Sequence, residues 1–147
     1  MAKFSKEKQP SAINEALASK KKIAEVDASN FKVSFQYIDT SQKFGSAFKD
    51  WQKDGLLSKM METLAGYCRR PLIEQVDKKF TFYGNFPSQD KTMFKYPEHV
   101  PKDANWARIH VTGPAIIVGH VIRDTFYVVF LDKTHKFFLT KKARDEK

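Results

Sequence analysis

Residues 106–138 read "WARIHVTGPAIIVGHVIRDTFYVVFLDKTHKFF", the densest apolar stretch of the chain, and they carry three of its four histidines. Two short interruptions divide it, Gly113-Pro114 and Arg123-Asp124. A polar or turn-forming pair between apolar runs is the signature of a tight connection between paired strands. The stretch therefore predicts strands over 106–112, 115–122 and about 125–132, with "KFFLT" as a last extended piece. Side chains alternate between the two faces of a strand. Trp106, Arg108 and His110 then share a face, and a two-residue hairpin at 123–124 sets Ile122 opposite Thr125 and His120 opposite Tyr127.

Working outward, "FKVSFQYID" at 31–39 alternates apolar and polar residues and predicts a half-buried strand. Asp39, Thr40 or Ser41 can cap a helix over 42–53, in which Phe44, Phe48 and Trp51 recur at helical spacing. Asp54-Gly55 breaks it. A second helix is predicted over 56–69, with Leu57, Met60, Met61, Leu64 and Tyr67 as its buried stripe and Pro71 as its stop. "KKFTFYGNF" suits a strand, whereas 84–105, with three prolines, reads as an irregular surface loop. The fold class expected is α+β, an antiparallel sheet (a C-terminal meander) packed against the helices of the N-terminal half. One domain spans 31–140. Residues 1–30 form a basic tail with a short amphipathic helix around Ile13, Leu17 and Ile23, and 141–147 form a charged tail.

The 26 Lys and Arg against 17 Asp and Glu give a formal charge of +9. Such an excess suits an acidic partner, with RNA or DNA first because phosphates attract basic surfaces over long range. Much of it lies near the termini: residues 1–30 carry six basic and four acidic groups, and 133–147 carry six and two. The single Cys68 permits no internal disulfide and fits a reducing compartment. No apolar run reaches membrane-spanning length and the first residues lack a secretory pattern, so a cytoplasmic location without membrane attachment is expected. The scattered glycines form no phosphate loop. Asp132 and His135, with His120 or His110, offer donors for a metal but not the spacing of a metal site, so neither metal nor cofactor is expected.

Two functional readings follow. Histidines exchange protons near neutral pH and arginine can stabilise a pentavalent phosphate. His135 and His110 as acid and base, Arg108 on the phosphate, and His120 with Tyr127 beside them would equip the chain for metal-independent RNA cleavage by the 2′-hydroxyl. Lys133, Lys136, Lys95 and Lys102 would hold the RNA, the last two beside Phe94 and Tyr96. In the other reading the histidines are structural, and the chain is a non-catalytic immunity, antitoxin or phage-defence protein that binds through its basic surface. Cleavage requires the histidines and arginine on one exposed concave face. Binding leaves them scattered or buried.

The stretch 106–138 also resembles the closing strands of the RelE/HigB-type toxins of bacterial toxin–antitoxin pairs. Arg108 and His110 match basic positions before a glycine, Gly113 matches that glycine, and Lys133, His135 and Lys136 fall in a terminal polar cluster. The resemblance implies a RelE-like fold, mRNA cleavage on the ribosome and a small acidic antitoxin partner. Ala115 stands where many members of that family carry an arginine, so that arginine has no counterpart here.

Overall fold

The strands of the quoted stretch form where alternation and turn chemistry put them. In the computed structural model, which describes residues 29–140, they are β3 (Trp106–Thr112), β4 (Ala115–Ile122) and β5 (Thr125–Asp132). The expected N-terminal helix and the tail 141–147 lie outside the described residues. From Phe31 onward the described residues form one compact unit. The remaining elements are β1 (Lys32–Ser34), α1 (Phe48–Lys53), α2 (Leu56–Tyr67), a 3₁₀ turn (Leu72–Gln75), β2 (Phe80–Gly84) and a second 3₁₀ turn (Gln89–Lys91). No helix among the described residues is long and apolar enough to cross a membrane.

The chain is α+β with a five-stranded mixed sheet in the order β1-β5-β4-β3-β2. The pairs β2–β3, β3–β4 and β4–β5 are antiparallel, while β1 lies parallel to β5. That parallel pair corrects the expectation of a purely antiparallel sheet. Only a tight hairpin forces an antiparallel pair, and β1 and β5 are joined by no such turn.

Both faces of the sheet are buried. On one, Trp51 of α1 and Met60 and Leu64 of α2 pack with Phe31, Phe80, Ala107, Ile109, Ile117 and Phe126. On the other, Trp106, Ile116, Val118, Val129 and Phe130 are covered by Phe94, Val100 and Phe137. The segment 84–105 is irregular and largely exposed, as its prolines suggest, yet Phe94 and Val100 are buried in the second core and Phe86 and Tyr96 pack against it.

A bulge on β5 makes this second face possible. Val118 pairs with Phe130 and Gly119 with Val128, so Val129 is an extra residue. Gly119 is required there, since a Cβ at that position would lie 1.9 Å from the Tyr127 carbonyl oxygen.

Two expected elements are shorter than the pattern suggested. β1 ends at Ser34, and the chain then turns, with Ile38 N–H donating to Phe35 O. Phe35 and Ile38 pack on the helix side, while Tyr37 packs on the other. The helix expected over 42–53 begins only at Phe48. Asp39 accepts from Ser41 N–H and Ser41 Oγ–H, and its carboxylate holds the Gln42 amide. These local bonds favour a turn over a helix. Phe44 consequently joins the second core and Phe48 the first.

The outer edges of the sheet are blunted. Beyond β1, Asp39 N–H donates to Val129 O and Ser46 N–H to Leu131 O. At the other margin Asp77 N–H donates to Phe80 O, and its Oδ1 accepts from Lys79 and Phe80 N–H.

Two glycine substitutions should move stability in opposite directions. Gly119→Ala forces a methyl into backbone and should cost about 3 kcal/mol or more. Gly66→Ala, on the exposed side of α2 with nothing within 4 Å of the new Cβ, should stabilise by about 0.5–1 kcal/mol. Denaturant unfolding of both variants checks the pair, and an unchanged midpoint for Gly119→Ala would contradict this account of the bulge.

Candidate functional site

The candidate residues lie on the face turned away from the helices, and the strand register spreads them along it. Trp106 pairs with His120, and His120 with Tyr127, so these three form one row across the sheet. His110 sits four residues further along β3, roughly 13 Å away at about 3.3 Å per residue. There it pairs with Ile116, which in turn pairs with Asp132.

His120 is 0 % exposed and stacks on the Tyr127 ring at 5.0 Å and 13°. Tyr37 closes the nest, 5.2 Å from His120 and 5.4 Å from Tyr127, with Trp106 at 6.1 Å from His120. Neither ring nitrogen of His120 has a hydrogen-bond partner. Burial therefore pushes its pKa below the usual value, and the neutral ring serves as an aromatic wall. Alternation in the sequence located the His120–Tyr127 pair. It did not disclose Tyr37, which arrives from the turn after β1, or His99, whose Nε2–H donates to Tyr37 O at 2.7 Å.

Arg108 and His110 share the face as expected, but each is tied to backbone. His110 Nε2–H donates to Gly113 O at 2.9 Å and pins the β3–β4 turn. Arg108 Nη2–H donates to Lys78 O at 3.2 Å. Because His110 N–H also donates to Lys79 O, Lys78 and Lys79 are drawn up beside Arg108 and His110. The backbone of two exposed lysines thus lies against Arg108 and His110 where β2 begins. Beside them the Tyr83 phenol is pushed up to about 12, chiefly by burial, with the Arg108 guanidinium opposing the rise. Lys78, Lys79 and Tyr83 escaped the sequence reading because only the β2–β3 register brings them to Arg108.

Asp132 is fully buried, and its carboxylate organises the turn that follows. Oδ1 accepts from Lys136 N–H at 3.0 Å and Oδ2 from Phe137 N–H at 2.8 Å. Burial nevertheless raises its pKa, against the pull of these donors and of nearby His135. His135 takes the left-handed conformation, φ 60°, which lets the chain reverse and return Phe137 to the core.

The expected RNA-contacting lysines each have their own local partners. Lys133 Nζ is 2.6 Å from Asp54 Oδ2, at the corner between α1 and α2, and this bond raises its pKa. Lys102 lies over the Tyr96 ring at 4.6 Å, and Tyr96 Oη–H donates to Pro101 O. Lys95 exchanges two backbone bonds with the Gln42 side chain, each 2.7 Å. It borders a shallow cleft of about 230 Å³ whose walls include Phe86, Phe94 and Tyr96. Lys136 is half-buried and gives its N–H to Asp132. Among the described residues no three His, Cys, Asp or Glu side chains are grouped to hold a metal.

Compared with protein-family models, curated proteins and solved structures, the chain has no significant match to any.

The buried imidazole predicts acid sensitivity. The folded pKa of His120 lies below its unfolded value of 6.5, so the unfolded chain takes up the proton first. Stability should be full above about 6.5 and fall as pH drops toward the lower folded value, with a slope no steeper than about 1.4 kcal/mol per pH unit for one proton. Asp132, whose folded pKa is raised, acts with the opposite sign: its contribution is full below the unfolded value and is lost as pH rises through the folded one. It is common to wild type and a His120→Phe variant, so it cancels in their comparison. Unfolding curves from pH 5 to 8 should therefore be flatter for His120→Phe, and parallel curves would refute this assignment.

Proposed function

We propose that this protein works by binding an acidic partner on its basic surface, without catalysing a reaction. The observation that carries this reading is the separate commitment of three of the four histidines and of Arg108. His120 is sealed among aromatic rings, His99 holds Tyr37 O, His110 holds Gly113 O and Arg108 holds Lys78 O. None of these bonds joins two members of the expected catalytic set. Proton transfer by a side chain requires it to reach the reacting group, directly or through one water. Meanwhile Lys78, Lys79, Arg69 and Arg70 project into solvent, and the chain carries a formal charge of +9.

A second reading rests on one specific juxtaposition. Arg108 and His110 share a face beside Lys78 and Lys79, a set that suits a phosphodiester. In this reading the chain is a RelE-like, metal-independent ribonuclease of the cytoplasm. His110 and His135 are its acid and base, Arg108 stabilises the phosphate, and the ribosome and a small acidic antitoxin are its partners.

Expression of the intact chain in bacteria separates the two. The binding reading expects normal growth and intact transcripts by primer extension, including those on ribosomes. It also expects retention on heparin that weakens steeply with salt and is reduced in Lys78→Ala/Lys79→Ala. Growth arrest relieved by His110→Ala, His135→Ala or Arg108→Ala in folded protein would overturn it in favour of cleavage. Loss of a positioned acid or base costs about 10²–10⁴ in rate, which such an assay resolves.

A further inference from the structure

The segment 69–79, "RRPLIEQVDKK", joins α2 to β2 and carries the most exposed large apolar side chain among the described residues. Ile73 is 71 % exposed and Val76 40 %. Ile73 lies on the 3₁₀ turn Leu72–Gln75 and Val76 is the extended residue that caps its C-terminal end, so two exposed aliphatic side chains flank one short turn. Leu72, between Pro71 and Ile73, is buried in the core and anchors the turn.

This ridge is braced. The Gln75 side-chain amide donates to Tyr67 O at 2.7 Å, Arg70 O at 3.0 Å and Pro71 O at 3.3 Å. Arg70 pairs with Glu74 at 3.1 Å, and Phe31 N–H donates to Arg70 O at 2.9 Å. At the far end Asp77 is held against Lys79 and Phe80. Holding aliphatic side chains open to water in one fixed geometry gives the folded chain nothing, but it lowers the ordering cost of a contact. Exposed basic residues flank the pair on both sides, Arg69 and Arg70 before it and Lys78 and Lys79 after it.

We propose that the ridge formed by Ile73 and Val76, between Arg69-Arg70 and Lys78-Lys79, is a docking surface for an acidic protein segment that presents aliphatic side chains, such as one face of an acidic amphipathic helix. The charges select an acidic partner and steer its approach. The aliphatic pair selects protein over nucleic acid, because phosphate and sugar offer nothing to two exposed aliphatic side chains. This inference rests on the binding reading above and specifies the partner.

Selection of a display library of random peptides about four helical turns long on the full-length protein tests it. The enriched peptides should be rich in Asp and Glu, with Leu, Ile or Val recurring at helical spacing. Their affinity should fall at least about tenfold in Ile73→Asp and in Val76→Asp, the loss typical of a central contact. Ile122→Asp, in the hairpin at a position about as exposed as Val76 (46 %), should bind as wild type. No enrichment, a pool no more acidic than the library, or binding indifferent to Ile73 would overturn the proposal. A single-stranded RNA that binds through Lys78 and Lys79 but ignores Ile73→Asp would overturn it while leaving the binding reading intact. Ile73-dependent self-association at the concentrations used would instead make a second copy the occupant and overturn it as well.

Discussion

The architecture depends on one extra residue in one strand. Tyr127 and Asp132 are an odd number of positions apart and would point to opposite faces of a regular strand. The bulge at Val129 shifts the phase, so that both Val129 and Phe130 join the second core while Leu131 turns to the helix side. Asp132 then lies where its carboxylate can gather the Lys136 and Phe137 amides. That turn sends Phe137 under the sheet, against Trp106, Phe86, Phe94 and Phe130. Without the shift there would be no acceptor for the turn and little for the segment 85–105 to cover. The absence of a side chain at Gly119 is what lets the bulge sit so close to β4.

The second core also gives several of the histidines structural surroundings. A sheet covered by helices on one face only can leave polar residues on the other. Here much of that face is covered, and several of its polar residues have structural contacts. His120 is a planar ring among planar rings, His110 a strut for a turn, and Asp132 a nucleus for the chain reversal that follows it. At the start of β2, Lys78 and Lys79 remain exposed while the Arg108 guanidinium reaches the Lys78 carbonyl, so that margin keeps cationic groups in contact with water.

How much of this was legible in the sequence depends on whether burial follows a period. The strands 106–112, 115–122 and 125–132 alternate or run apolar between turn residues, and their bounds were readable to the residue. Helix α2 was readable to within its last turn. Residues 84–105 were not, because Phe86, Phe94 and Val100 insert singly from an irregular backbone and leave no repeat. The stretch 42–53 misled for a different reason. Phe44, Phe48 and Trp51 have helical spacing, but the Asp39 turn delays the helix and divides them between two cores. For the site, alternation correctly put Arg108 with His110 and His120 with Tyr127. It could not supply the distance between those pairs, nor Tyr83, Lys78 and His99, which arrive through long-range register and loop packing.

The blunted margins of the sheet bear on how the protein behaves in a crowded solution. An open strand edge is a template on which another chain can add a strand and begin a filament. At the β2 margin Asp77 already fills the donor and acceptor of Phe80, and at the β5 margin Asp39 and Ser46 occupy the Val129 and Leu131 carbonyls. The lysines at 78 and 79 add like-charge repulsion between copies that approach along β2. At these positions a sheet built from so many Val, Ile and Phe residues offers an incoming strand few open backbone groups, and a second copy would meet its own positive charge along β2.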